Sequence, residues 1–256
     1  MSFPRLVLPE TLDGLAAQDP VAQRSRRDLQ RVHRAMGTRQ TLLSALRALP
    51  LRRGCSLPLR VLELGAGDGS LMLRVARALY GEWPAVALTL LDRQHLLQPA
   101  TRAGYAAVGW DVTVQVDDAL DWAAGARSAG LAASAGLDPP RRWDLIVANL
   151  FLHHFQTPQL AALLAAVAER SDTFFACEPH RAWLARAGSH LIGALGANAV
   201  TRQDAVLSVQ AGFCGSELRS LWPAAAPGWT LAEYRAGWFS HCLLAGRALA
   251  KRAETQ

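Results

Sequence analysis

Hydrophobic positions in this chain fall into short apolar runs separated by stretches of helical spacing. Leu59, Val61, Leu62 and Leu64 make a run of strand length. Directly after it, Leu71, Val75 and Leu79 recur on one helical face and Gly81 supplies a stop. Strand-sized runs return over residues 86–92, 112–118, 143–149 and 173–178, and Thr157-Pro158 caps a helix bearing Leu160, Leu163, Leu164 and Val167. Strands alternating with amphipathic helices predict an α/β fold whose parallel sheet is covered on both faces. Two last runs, 229–235 and 240–247, are separated by Ala236-Gly237-Trp238-Phe239, which predicts a closing antiparallel hairpin.

The flanking regions follow other rules. Asp19-Pro20 reads as an N-cap followed by proline at the first helical position. Val21, Leu29, Val32 and Met36 then mark a narrow apolar face up to Gly37, and a second helix over 38–49 carries Leu42, Leu43, Leu46 and Leu49. Residues 1–50 are thus predicted as a helical cap. Residues 125–140 are rich in small residues and read as an insertion. Residues 179–222 are too long for a simple crossover. They suggest one helix around 181–195, a second from a capping box Thr201-x-x-Asp204 and a third from Ser216. With the N-terminal cap, this segment is expected to overhang the carboxyl ends of the strands.

Composition changes this picture little. The net charge of +6 is carried almost wholly by arginine, since Lys251 is the only lysine, and alanine is abundant. That bias follows from GC-rich coding, so Arg24, Arg27, Arg31 and Arg34 read as a solvated helix face and no nucleic-acid partner is expected. Cys55, Cys177, Cys214 and Cys242 share no metal-binding spacing and read as reduced, mostly buried thiols; no metal site is expected. The opening residues lack the basic-then-apolar order of a secretory leader, and no run of 18 apolar residues occurs. The expectation is a cytoplasmic protein with no membrane span.

The chemistry lies where the first strand ends. Glu63-Leu64-Gly65-Ala66-Gly67-Asp68-Gly69 places a carboxylate before a glycine-rich turn and a helix. A loop made for pyrophosphate disfavours a carboxylate at its base, whereas a cationic ligand is attracted. The dinucleotide fingerprint Gly-x-Gly-x-x-Gly also fails, because the third glycine comes one residue early. The pattern resembles the first motif of class I S-adenosylmethionine (AdoMet)-dependent methyltransferases, and the resemblance extends over most of residues 59–178.

That resemblance implies a Rossmann-like, seven-stranded mixed sheet, parallel with a C-terminal antiparallel hairpin, and a methyltransferase domain over 51–256. Gly65, Ala66, Gly67 and Gly69 would line the loop beneath the methionine part of AdoMet, with Glu63 orienting its ammonium. Asp92, ending the second strand, would accept from both ribose hydroxyls, and Arg93 and Gln94 would border the adenosine. In Asp117-Asp118-Ala119, one of the two aspartates would meet the adenine amino group. Asn149 and Leu150 would close over the methionine carboxyl region.

After the fourth strand the chain reads Asn149-Leu150-Phe151-Leu152-His153-His154-Phe155. This departs from the Asn/Asp-Pro-Pro-aromatic motif of enzymes that methylate base amines and resembles the small-molecule branch (quinone biosynthesis and specialised metabolism). His153 and His154 are candidates for taking a proton from the acceptor, or else hold the turn. Phe151, Phe155, Trp183 and Phe213 are candidates for an apolar lid, and Glu178 and His180 for polar contacts to the acceptor. The expected activity is methyl transfer to oxygen or carbon of a small aromatic or polyketide-like metabolite. An RNA methyltransferase and a non-catalytic AdoMet-binding partner subunit stay open as alternatives.

Overall fold

The computed structural model describes residues 3–49, 57–125, 142–183, 185, 186, 188, 192–224, 226 and 228–247. Its strands are β1 (Leu59–Leu64), β2 (Val86–Asp92), β3 (Trp110–Val116), β4 (Leu145–Asn149), β5 (Thr173–Pro179), β6 (Trp229–Ala236) and β7 (Ser240–Arg247). They form one sheet in the order β3-β2-β1-β4-β5-β7-β6. Strands β1 to β5 pair in parallel, and β7 runs antiparallel to both β5 and β6. The mixed sheet with its closing hairpin is therefore the one the hydrophobic pattern predicts.

The helices are α1 (Pro20–Ala35), α2 (Thr38–Arg47), α3 (Ser70–Leu79), α4 (Pro99–Ala106), α5 (Thr157–Arg170), α6 (Ala199–Ala211) and α7 (Glu217–Leu221). Every residue of β4 is buried, as a central strand covered on both faces requires. Leu42, Leu46, Met72, Val75 and Leu79 pack on one face through Val61 and Leu88. Leu160, Leu163, Leu164, Val167 and Leu218 pack on the other through Leu62 and Ile146. Alternate residues of one strand thus feed opposite cores, so a slip of one residue in β1 would exchange them. Strand order reverses between β1 and β4, which opens a crevice at their carboxyl ends.

Several boundaries differ from expectation. The N-cap of α5 is Gln156, whose backbone N–H donates to the Gln159 side chain at 3.0 Å, so Thr157-Pro158 forms the first turn instead. Helix α6 starts at Ala199, capped by Asn198, which accepts from the Thr201 N–H at 2.8 Å. The Asp204 carboxylate, free of capping, accepts from the N–H groups of Thr11 and Leu12, each at 2.9 Å. The buried face of α1 includes Ser25 and Asp28, not only apolar residues; Asp28 accepts from the Asn198 N–H at 2.7 Å. Val21 points outward. Residues 126–140 of the insertion, residues 184, 187 and 189–191 of the 181–195 segment, and Cys55 lie outside the described residues. Among the described residues, no helix is long and apolar enough to cross a membrane.

Residues 3–15, which carry no periodic pattern, form a strap with a single 3-10 turn at Leu12–Gly14. Arg5 ties it down, its Nε donating to the Ala211 carbonyl at 2.8 Å and its guanidinium to the Phe155 carbonyl at 2.9 Å. The Leu6 N–H donates to Gln210, and Asp204 holds the other end. The strap brings Glu10 and Asp13 over the crevice.

Candidate active site

A cavity of about 1090 Å³ lies at the carboxyl edge of the sheet, enclosed by the glycine loop, the strap, α1 and α6. Its floor is the turn after β1. Gly65, Gly67 and Gly69 all take positive φ there, at 64°, 57° and 69°. Gly65 is doubly constrained, because a Cβ at that position would lie 2.1 Å from the Phe151 ring. A Cβ at Gly67 would meet nothing within 4 Å, so it is backbone angle that reserves Gly67, and the space above it is free for a ligand. Gly65→Ala is expected to cost about 2–3 kcal/mol of stability through left-handed strain and clash. Gly67→Ala should cost about 1 kcal/mol; denaturant melts of both would show the difference, and equal losses would remove the role given to Phe151.

Glu63 sits beneath this turn, 4% exposed, with no hydrogen-bond partner for its Oε2. Burial, then the negative charges of Asp68 and Asp92, push its pKa up to about 8. Asn149, at the end of β4, likewise has a buried Oδ1 without a partner. Two orphaned acceptors facing one cavity constitute an incomplete polar site. Asp92 accepts from the Gly67 N–H at 2.8 Å and the Gln94 N–H at 3.0 Å, so it braces the loop as well as lining the cavity. Asp118 accepts from the Leu120 N–H at 2.7 Å, opening a helical stretch over 119–125, and Asp117 accepts from Gln115. Both aspartates and Ala119 line the cavity. Arg93 faces Asp13 across 3.7 Å.

Leu150 follows β4 with φ of 50°, the one positive-φ residue other than glycine among those described. This turns the chain into a 3-10 helix at Leu152–His154. Glu178, fully buried on β5, organises that turn: it accepts from the N–H groups of Phe151 at 3.1 Å and Leu152 at 2.9 Å. Its other oxygen accepts from His153 Nδ1 at 2.8 Å. His153 Nε2 lies 3.3 Å from Glu10. Burial lowers the His153 pKa, but the hydrogen bonds its ring donates to Glu10 and Glu178 outweigh it and raise the pKa to about 9. With both ring nitrogens engaged, His153 has no free nitrogen to take a proton. His154 differs: its Nδ1 lies 3.1 Å from Asp13, and its ring lines the cavity.

Of the residues singled out from sequence, the glycine loop, Asp92, Asn149, Leu150, Phe151, His153, His154 and Phe155 meet in this cavity. Gly69 lies behind it as the N-cap of α3, held by the Tyr105 hydroxyl at 2.7 Å. Glu178 faces the turn and not the cavity. His180 stacks on His241, Trp183 is 63% exposed, and Phe213 is buried beneath Arg5. None of these four lines the cavity. Sequence reasoning missed Glu10, Asp13, His33 and Gln30. Gln30 donates to Asp68 at 2.8 Å, docking α1 on the glycine loop. Burial and then Arg74 hold the His33 pKa at about 4, so its ring is neutral.

No family model and no curated protein matches this chain. Solved structures do. An O-methyltransferase family protein from Burkholderia thailandensis is 15% identical, with a TM-score of 0.54 over 91% of this chain and 61% of that one. LaPhzM is 18% identical, with a TM-score of 0.53 over 92% and 61%. The pyocyanin biosynthetic protein PhzM is 17% identical, with a TM-score of 0.53 over 90% and 60%. The chain spans about three fifths of the length of these structures. It has the Rossmann-like methyltransferase fold.

Proposed function

We propose that this chain is an AdoMet-dependent methyltransferase acting on oxygen or carbon of a small aromatic or polyketide-like acceptor. The observation that carries the reading is the orphaned, buried Glu63 carboxyl beneath a glycine loop, with Asp68 and Asp92 beside it. Such a floor repels phosphate and suits a ligand whose nearest group is cationic. The α-ammonium of AdoMet would satisfy Glu63, and the open space above Gly67 leaves room for its methionine chain. Asn149 would take a further donor. Asp92 retains free lone pairs for a vicinal diol, and the Asp117-Asp118 pair borders the adenine end.

When bound, AdoMet supplies a methyl carbon activated by its sulfonium. The chain's part is then to fix the acceptor in line with the carbon–sulfur bond, near 3 Å from that carbon, and to exclude water. Leu8, Leu12, Val32, Ile192 and Val209 give the upper cavity an apolar lining, which suits an apolar ring system. The acceptor's polar end would face His154 and Glu10. Residues 3–36 together with α6 act as the cap, whereas α2 packs into the sheet core, and a strap closed by Asp204 and Arg5 favours a small acceptor over an RNA chain. The test is calorimetric binding of AdoMet and S-adenosylhomocysteine, followed by a screen of metabolite extracts for a methyl mass gain. Uptake of a nicotinamide coenzyme in place of both would overturn the reading. Turnover by the chain alone would exclude a partner-subunit role.

Glu63 makes the binding pH-dependent. Its folded pKa of about 8 lies above the unfolded value of 4.5, so the neutral carboxyl is the favoured form in the ligand-free chain at pH 7. Its contribution to stability is full below pH 4.5 and is lost as pH rises through 8. A cationic ligand requires the ionised form, so affinity should rise about tenfold per pH unit between pH 5.5 and 7.5, with close to one proton released per site. Calorimetry in buffers of different ionisation enthalpy measures that proton. Glu63→Gln should abolish its release, and a flat pH profile in the parent would remove Glu63 from the ligand's contacts.

A further inference from the structure

Three ligating side chains converge at the mouth of the cavity, brought together from the strap and from the turn after β4. One donor atom from each of Glu10, His153 and His154 lies within 4.8 Å of the others. All three residues line the cavity. Glu10 Oε1 and His153 Nε2 are 3.3 Å apart. That is close to the edge of a tetrahedron with metal–ligand bonds of about 2.0–2.1 Å, roughly 3.3–3.4 Å.

The surrounding groups fix the imidazoles in the orientation a metal needs. His153 Nδ1 is 2.8 Å from the fully buried Glu178, and His154 Nδ1 is 3.1 Å from Asp13. Each ring therefore has Nδ1 held by its own carboxylate, which leaves Nε2 as the nitrogen to coordinate; at His153 the ion would replace the proton that Nε2 shares with Glu10. This carboxylate–histidine pairing orients metal-ligating histidines and raises their basicity. Glu10 is braced by the Ser208 hydroxyl, which donates to its Oε1. Two imidazoles and one carboxylate suit a borderline-soft divalent ion such as Zn²⁺, Co²⁺ or Fe²⁺ better than Mg²⁺ or Ca²⁺, which prefer all-oxygen shells.

We propose that Glu10, His153 and His154 form a binding site for a divalent transition-metal ion, with its remaining position open to the cavity for an acceptor oxygen. Three protein ligands and an open position are the arrangement of a catalytic ion and not a structural one. An oxygen held there becomes more acidic and gives up its proton to solvent water, so neither imidazole is asked to take it. The acceptor's part in this rests on the methyltransferase reading; the ion's binding does not.

The test uses the full chain, stripped with chelator and titrated with Co²⁺, followed by visible absorption, with retention of Zn²⁺ measured by equilibrium dialysis. One ion per chain is expected, with the intense visible bands of low-coordinate Co²⁺. Glu10→Gln and His154→Ala each remove a ligand and should weaken binding at least about a hundredfold, beyond the roughly ten- to hundredfold that loss of a group supporting a ligand costs. Both are mild changes at the cavity wall, and circular dichroism on the same samples confirms that they fold. Absence of Co²⁺ bands and of retained Zn²⁺, or an ion held equally well by both variants, overturns the proposal. AdoMet binding measured on the metal-free chain reports separately: if it persists while no ion binds, the metal site falls and the methyltransferase reading stands.

Discussion

Asp92→Ala is expected to raise the dissociation constant for AdoMet by about two to three orders of magnitude, the largest single effect on binding in this chain. Two losses combine. The carboxylate is the acceptor for the Gly67 and Gln94 N–H groups, so its removal loosens the loop on which the ligand lies. Hydrogen bonds of this type contribute about 1 kcal/mol each. The ribose hydroxyls then lose an ionised acceptor, and charge-assisted bonds are worth about 1.5–3 kcal/mol. Asp92→Asn keeps one carbonyl oxygen and should fall between the two. Calorimetry decides it: parental affinity in Asp92→Ala would remove the residue from the ligand's contacts and leave it only as a loop brace.

Glu178→Ala should produce the largest loss of stability, about 3–5 kcal/mol. This side chain is fully buried and accepts from two successive backbone N–H groups and from His153 Nδ1, with the His153 N–H at 3.3 Å. Alanine leaves those donors unpaired in a dry interior beside an imidazole that no longer has its counter-charge. For a chain of this size, that corresponds to a melting point lower by roughly 6–20 °C. Glu178→Gln preserves the acceptor for Phe151 and Leu152 but turns an amide N–H₂ toward His153, so it should lose about half as much. A Glu178→Ala variant melting within 2 °C of the parent would show that the turn is held by something else.

The contrast between these two carboxylates shows how far local pattern reaches. Both end apolar strands, and both lie at the carboxyl edge of the sheet. Asp92 faces the cavity because β2 ends there and the chain turns away through Gln94. Glu178 is one residue from the end of β5, paired opposite His241 on β7, and its side chain turns inward to the Leu152 turn. Nothing in residues 173–179 distinguishes a strand-end acid that meets a ligand from one that holds a neighbouring loop. The same holds for Asp204, which has the spacing of a capping residue but clamps the strap through Thr11 and Leu12. A capping box is a local option, and a distant backbone with two free N–H groups competes for the same carboxylate.

The sequence by itself determined the sheet, the closing hairpin and the glycine loop with Glu63 and Asp92, because periodicity and turn chemistry act over a few residues. Which face of a strand is buried, and where the backbone must take positive φ, are local properties. Only the tertiary structure decided that a strap without periodicity would set Glu10 and Asp13 against His153 and His154. That meeting depends on long-range packing, where many partners satisfy the same carboxylate and a short segment carries no mark of the one it will reach.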